Sequence, residues 1–322
     1  MPRVPASQNY CIVVVDLGGG LRCVLEGMEL IRIRNGCMLI TLIAWTMIVH
    51  AQAPRVPYVP TPNDVVAKML EMVRITPNDY LIDLGSGDGR IIVTAARKHG
   101  ARGFGVDINP ERVAEAEANA QKAGVTDKVA FYQRDLFQTD LAQATVISMY
   151  LLPRVNLELR PKLLALKPGT RLVSHDFNMD DWKPDAHVQM ESPEKYGNSG
   201  GQSDIYFWVV PAQVAGNWGW TMQRGAKPVS YAAVLKQSFQ MFSGVVSVNG
   251  RSVPVQNARL SGEDISFTFT ADLGAGPVRH EFRGKAAGHE WHGVLTLASG
   301  SARGRFEILA TRDGGGIREN KP

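Results

Sequence analysis

The chain has 322 residues, 44% of them hydrophobic and 20% charged, an ordinary globular composition with length enough for two domains. Its formal charge of +4 is small for that length, and its basic residues are interspersed with acidic ones, so charge gives no case for a nucleic-acid partner. Cys11, Cys23 and Cys37 are the only cysteines; all precede residue 54, which excludes a disulfide framework, a thiolate nucleophile and a cysteine-ligated metal from the rest.

Residues 1–53 read as an extension followed by targeting sequence. "MELIRIRNG" carries Arg32 and Arg34, "CMLITLIAWTMIV" is an unbroken apolar run, and "HAQA" places small residues at Ala51 and Ala53. That is the n, h and c layout of a secretory signal peptide. The run is shorter than the ~20 residues of a spanning helix, which favours a cleaved signal over an uncleaved anchor or a segment that stays inside. Pro54 is an awkward residue after a cleavage point, and Met28 suits the start of such a signal better than Met1. The expectation is an exported or membrane-associated protein, with a cytoplasmic one as the alternative, and residues upstream of Met28 that add nothing to the fold.

From Pro62, helical and strand patterns alternate, which predicts an α/β domain over 54–211. Thr61 or Asn63 is the expected cap of a helix "DVVAKMLEMVRI". "YLIDL" is the first strand, and "GRIIVTAARKHG" is a helix stopped by Gly100. "GFGVD" leads to a helix with Asn109 as cap, Pro110 at its first position and Gly124 at its end. "KVAFYQRD", "ATVISMY" and "RLVSHDF" are the next strands, with the helix "LPRVNLELRPKLLALKPGT" between the last two. "HVQMES" and "SDIYFWVV" flank a Gly/Ser/Asn-rich stretch and read as an antiparallel hairpin completing the sheet.

Beyond Pro211 helical periodicity gives way to period-two alternation punctuated by SG, NG and GG turns. Residues 212–312 are expected to form a small antiparallel sheet or partly closed barrel, and 313–322 a loose tail.

The loop "DLGSGDGR" between the first strand and the next helix carries the most specific signal. A glycine-rich turn at a helix N-terminus suits an anion, yet the dinucleotide pattern G-x-G-x-x-G fails because Arg90 stands at its last position, and no Lys follows for a P-loop. What remains is D-x-G-x-G-x-G, with Asp83 ahead of Gly85, Gly87 and Gly89. This resembles the first motif of the class I S-adenosylmethionine-dependent methyltransferases, and the order of elements resembles their seven-stranded, Rossmann-like fold. Asp107 ends the second strand, where a carboxylate can accept from both ribose hydroxyls. By the resemblance Asp135, in "RDLF", reads the adenine amino group, while Asp83 and Asp88, with Ser86 between the glycines, sit near the cofactor's amino acid portion. Ile108 and Leu136, directly after two of these acids, go with them. Such acids suit S-adenosylmethionine, with its sulfonium and ammonium and no phosphate. Each acid alone could equally be a helix-capping carboxylate.

A narrower resemblance covers about residues 56–185. "VPYVPTP", "DLGSGDGRIIVTAA", the Asn-Pro of "DINP" and "HDFNMDDW" resemble the family of lysine methyltransferases acting on the c-type polypeptide of ATP synthase and the adenine nucleotide translocase. It implies that Tyr58, Pro60 and Thr61 fold over the cofactor, where the competing reading is a lead-in stiffened by prolines. "MYLLP" replaces the Asn/Asp-Pro-Pro-Tyr of adenine and glutamine methylating enzymes, which argues against DNA adenine as substrate. Tyr150 and Leu151 are then expected to line the cofactor and acceptor pocket. Tyr58, Tyr150 or Trp182 could favour the sulfonium by cation–π attraction, with core packing as the other reading of Trp182. His175 is a candidate general base, against the reading of a packed histidine. The function implied is methyl transfer to a protein lysine, with a small-molecule acceptor or a catalytically silent envelope-binding protein as alternatives. His289 and His292 in "HEWHG" lack metal-site spacing, since strand residues three apart face opposite ways; no metal is expected.

Overall fold

The computed structural model describes residues 12–15, 21–24, 58–224, 227–298 and 303–312. The signal-like segment and the tail lie outside the described residues. The chain divides into two units, Met1–Ala51 and Gln52–Pro322. In the first, Ile12–Val15 pairs antiparallel with Leu21–Val24.

In the second unit, helix α1 (Asn63–Met72) precedes β1 (Tyr80–Leu84), α2 (Arg90–His99), β2 (Arg102–Asp107), α3 (Pro110–Ala123) and β3 (Val129–Gln133). β4 (Val146–Met149), α4 (Pro153–Leu164), β5 (Arg171–His175), β6 (Ala186–Glu191) and β7 (Gln202–Val209) complete a seven-stranded sheet in the order β3-β2-β1-β4-β5-β7-β6. Strands β1 to β5 run parallel, and β7 is antiparallel to both β5 and β6. Leu81, Ile82 and Leu84 of β1 and Val146, Ile147 and Met149 of β4 are fully buried, as central parallel strands covered on both faces must be. The chain reverses its strand order between β1 and β4, and such a switch point opens a crevice at the strand C-termini.

Helix ends explain the local register. The Asn109 side chain accepts from the Glu111 N–H at 2.8 Å ahead of Pro110, and Gly124 closes α3 at φ +66°. α1 departs from expectation: Pro62 is its N-cap and gives no side-chain bond. The orphan Asn63 N–H instead donates to the Glu194 carboxylate at 2.9 Å, from a loop far along the chain.

Beyond Pro211 every element among the described residues is a strand. β8 (Gly216–Arg224), β9 (Lys227–Ser238), β10 (Met241–Val248), β11 (Arg251–Pro254), β12 (Gln256–Ser261), β13 (Asp264–Asp272), β14 (Pro277–Ala287), β15 (Glu290–Leu297) and β16 (Gly304–Arg312) follow one another. Their order is β11-β10-β9-β8-β16-β15-β14-β13-β12, all antiparallel. The two edges are successive in sequence, separated only by Val255, whose N–H donates to the Gly244 carbonyl of β10 at 2.9 Å. The result is an up-and-down meander curled into a near-barrel, a small enough ring for side chains to fill. Trp218 stacks on Trp291 at 4.0 Å between centroids, and Phe267 packs on Phe282 at 5.3 Å. Glu290 and His292 touch each other at 3.1 Å on the exposed face, and no cluster of three metal-ligating side chains exists among the described residues.

The barrel packs against the seven-stranded sheet. Phe239, at the β9–β10 turn, stacks on Trp182 with centroids 5.8 Å apart, and Gln240 donates to the Lys183 carbonyl at 2.7 Å. Trp182 is completely buried there, against Trp208 and Phe239, so it is a packing residue and not a wall of the cofactor pocket.

Candidate active site

A cavity enclosing about 1110 Å³, part of it open to solvent, lies beyond the C-terminal ends of β1, β2, β3 and β4. Its floor is the loop from Gly85 to Asp88. The N–H groups of Gly85 and Ser86 both donate to the Val106 carbonyl at 2.9 Å, and that of Gly87 to Asp107 Oδ2 at 3.0 Å. The donors that would cradle a phosphate are therefore spent on the protein itself. Gly87 has φ +52°, and a Cβ there would stand 2.5 Å from the Tyr58 ring. Glycine lets Tyr58 lie flat across the loop.

Asp83 is fully buried, and the β1–β4 register sets it beside Ser148, whose hydroxyl donates to Oδ1 at 2.6 Å. Asp83 Oδ2 and the Ser86 hydroxyl, both lining the cavity, have no hydrogen-bond partner. Burial, with the charges of Asp88 and Asp107 adding to it, pushes the Asp83 carboxyl up to about 7. This is a carboxylate in want of a cation.

The other acids divide their duties. Asp107 accepts the N–H of Asn109 on Oδ1 at 2.9 Å while Oδ2 holds Gly87, and Asp135 accepts the Phe137 N–H at 2.9 Å. Both are thus capping carboxylates as well as cavity walls, with Ile108 and Leu136 beside them. Asp88 also lines the cavity, but its carboxylate is clamped by Arg90 through three nitrogen–oxygen contacts of 2.6 to 3.0 Å. Arg90 Nη1 then donates to the Thr61 carbonyl at 2.9 Å, fastening the segment Tyr58–Thr61 over the site. Arg112, which also lines the cavity, stands 4.7 Å from the Tyr58 ring centre.

Most of the expected cofactor residues meet here: Tyr58, Thr61, Asp83, Gly85, Ser86, Gly87, Asp88, Asp107, Ile108, Asp135, Leu136 and Tyr150 all line the cavity. Gly89 does not; it serves the turn into α2 at φ +76°. Arg90, Arg112, Arg134 and Ser148 are site residues that the sequence pattern did not single out. The Asp-x-Arg spacing of Asp88 and Arg90 was a legible signal for the first. Ser148 needed the strand register.

At the opposite wall, Tyr150 lines the cavity and donates its hydroxyl to Asp176 Oδ2 at 3.0 Å. Burial and the neighbouring carboxylate push its phenol pKa up, so it stays protonated. Its ring lies on His175, with centroids 4.0 Å apart. His175 is completely buried and absent from the cavity wall. Its Nδ1 faces the Thr61 hydroxyl at 3.3 Å and its Nε2 the Ser203 hydroxyl at 3.1 Å. Burial lowers its pKa to about 4. Completely buried and with both nitrogens engaged, His175 does not fit the general-base expectation; its ring packs on Tyr150.

Residues 83–186 match the ANTKMT methyltransferase domain. The chain is 48% identical to a protein-lysine N-methyltransferase of Saccharolobus islandicus (strain REY15A) over 159 residues, spanning 49% of this chain and 95% of the relative. It is 33% identical to the adenine nucleotide translocase lysine N-methyltransferase of Mus musculus, across 50% of this chain and 73% of the relative. A solved RNA methyltransferase from Salinibacter ruber, in complex with S-adenosyl-L-homocysteine, shares 48% identity with a TM-score of 0.44, covering 48% of this chain and 96% of that one. The chain is an S-adenosylmethionine-dependent methyltransferase and belongs to the class I family that includes the protein-lysine methyltransferase of Saccharolobus islandicus and the adenine nucleotide translocase lysine methyltransferase.

Proposed function

We propose that this methyltransferase acts on the ε-amine of protein lysines, with S-adenosylmethionine held in the cavity at the β1–β4 switch point. The observation that carries the site is the unpartnered Oδ2 of buried Asp83, which fits the ammonium end of that cofactor and would repel a phosphate. In this reading Asp107 takes the ribose hydroxyls, Asp135 the adenine edge, and Tyr58 and Thr61 cover the cofactor, which is supported by all four lining the cavity. The protein acceptor is supported by the relatives named as lysine methyltransferases.

S-adenosylmethionine supplies a methyl group already activated by its sulfonium, so the protein's work is alignment, exclusion of water and provision of a neutral amine. Tyr58, Leu151 and Val155 offer apolar walls that keep the reacting end dry. Asp83, the cavity carboxyl that burial raises to about 7, is reserved in this reading for the cofactor's ammonium, so the acceptor's ammonium proton leaves to solvent before transfer. The arginines ahead of the apolar run support export or membrane attachment through residues 28–53. A fusion reporter tests that: activity only with a cytoplasmic reporter would refute it.

The test of function is incubation with methyl-labelled cofactor and whole-cell protein, followed by mass spectrometry. Label on lysine side chains is expected. Label confined to RNA or to small molecules would overturn the reading.

A further inference from the structure

Behind Tyr150 lies a buried ion pair that the transfer chemistry above does not use. Lys195 is almost completely buried. Its Nζ meets both oxygens of Asp176, at 2.9 and 2.8 Å, and donates to the Gln202 carbonyl. A pair withdrawn from water in this way is seldom kept for stability alone, because desolvation offsets much of the attraction. It is also held in unusual backbone. Asp176 has φ +58° and Tyr196, the residue after Lys195, has φ +52°. Non-glycine residues occupy that region only when their surroundings force them to.

The surroundings do so here. The Lys195 N–H donates to the Ser192 carbonyl at 3.2 Å, and the Ser192 hydroxyl donates to Asp64 on α1 at 2.8 Å. Glu194, the residue before Lys195, accepts from Asn63 at the start of the same helix. The turn bearing Lys195 is thereby stitched to the element that leads into the cavity.

We propose that Lys195 is a positioning residue for methyl transfer: by pairing with Asp176 it commits the Tyr150 hydroxyl hydrogen to that carboxylate and leaves the phenol oxygen to accept an N–H from the incoming amine. This rests on the amine-acceptor reading above. A neutral amine has one lone pair, and the methyl group must meet it. A freely rotating hydroxyl would donate to that lone pair and block it. With its hydrogen fixed on Asp176, the Tyr150 oxygen offers only acceptor capacity and holds the amine by an N–H instead. Were Asp176 protonated, the direction of the bond would reverse and the phenol hydrogen would be released toward the cavity.

The groups facing Asp176 decide its charge. Burial alone would raise its carboxyl, but the hydrogen-bonded Lys195 ammonium and the Asp204 N–H at 3.2 Å hold it below the usual carboxylate range, with His175 beside it at 3.3 Å. His175 is itself neutral, and the Asp204 carboxylate is occupied by His187 at 2.7 Å. Tyr150 and Tyr206 remain protonated, both pushed up by burial, and Tyr196 carries its ring 5.3 Å from the Lys195 Nζ. Lys195 is thus the cation that keeps Asp176 ionised, and its removal leaves burial to raise the carboxyl.

The test measures kcat against pH on the full chain, with the acceptor protein found by extract labelling, for wild type, Lys195→Met, Lys195→Arg and the double variant Lys195→Met with Asp176→Asn. Folding is checked by thermal melt and cofactor affinity by calorimetry. Lys195→Met is expected to bind cofactor as wild type does, to lose at least tenfold in kcat near neutrality and to gain a second acidic limb beyond the acceptor-deprotonation limb that wild type also shows. Lys195→Arg should recover part of the rate. The double variant should stay slow without the second limb, assigning it to Asp176. If Lys195→Met fails to fold, the single Asp176→Asn variant carries the test, with a tenfold loss in kcat at unchanged cofactor affinity expected. A folded Lys195→Met with wild-type kcat and profile, a second limb that survives in the double variant, or an Asp176→Asn enzyme of wild-type rate would each overturn the proposal. Wild type that labels no amine would instead remove the reading beneath it.

Discussion

The cavity at the β1–β4 switch point and the interior of the barrel are both enclosed by strands, yet they treat polar groups in opposite ways. The cavity gathers Asp83, Asp88, Asp107 and Asp135 and leaves Asp83 Oδ2 and the Ser86 hydroxyl without partners. The barrel interior is aromatic, and its buried His280 is satisfied, with Nδ1 at 2.8 Å from the Val278 carbonyl and Nε2 at 3.2 Å from the Tyr231 hydroxyl. Its remaining orphans are the indole N–H groups of Trp220 and Trp291, embedded among rings, and the Nε of Arg312 on β16, whose guanidinium lies 4.8 Å from the Trp218 ring centre. One region stores unmet electrostatic demand for a cation; the other stores packing. Binding and chemistry belong to the first, and stability to the second.

The largest effect that could break this division is on the barrel. Trp291 stacks on Trp218 and touches Phe267 and Phe282. Trp291→Ala should cost ~3–5 kcal/mol of stability by emptying that space, read from denaturant unfolding, with cofactor affinity at low temperature unchanged. A comparable loss in affinity would show that the two regions are not separable. Next, Asp107→Ala removes a charged acceptor from Gly87, Asn109 and the cofactor. Cofactor affinity should fall by about 10- to 100-fold, the loss typical of a charge-assisted hydrogen bond; a smaller change would place the ribose elsewhere.

The third prediction concerns pH. The Asp83 carboxyl is raised to about 7, mainly by burial. In the empty protein its contribution to stability is present below the unfolded-state carboxyl value and is lost as pH rises through about 7. Cofactor binding has the opposite sign, because a cation binds the ionised form. Affinity should be full above pH 7 and fall by about tenfold per unit below it, and Asp83→Asn should be weak at every pH. A flat profile in the native protein would contradict the assignment of Asp83. The smallest effect is expected from Asn109→Ala, which strips the α3 cap. It should lower stability by about 1 kcal/mol with little effect on cofactor affinity, separating a cavity-lining residue that is structural from those that bind.

The elements that position the cavity were legible because their signals are local. Glycine at φ > 0, a capping asparagine before proline, and apolar runs bounded by turns need no long-range knowledge, and they placed Asp83, Asp107 and Asp135 at successive strand ends. What escaped is non-local. Glu194 finishes α1 across 131 positions of sequence. Ser148 reaches Asp83 only once the register between β1 and β4 exists. His175 follows a strand toward the cleft, as a base should, but Thr61 and Ser203 close over both nitrogens. Lys195 sits in a Gly/Ser/Asn-rich loop without periodicity, so nothing in its neighbourhood announced a buried cation. Closure of the barrel depends on Val255 bringing two edges together, and a period-two pattern reads the same for an open sheet.

The central claim is that the acid-lined cavity at the β1–β4 switch point seats S-adenosylmethionine through an ionised Asp83. Calorimetric titration of the full chain with that cofactor at pH 8 and again at pH 6 tests it most directly. The account predicts saturable binding at pH 8, weakened about tenfold at pH 6, and near abolition by Asp83→Asn at both. Equal affinity at the two pH values with Asp83→Asn unimpaired, or no binding by the folded protein at millimolar cofactor, would contradict it.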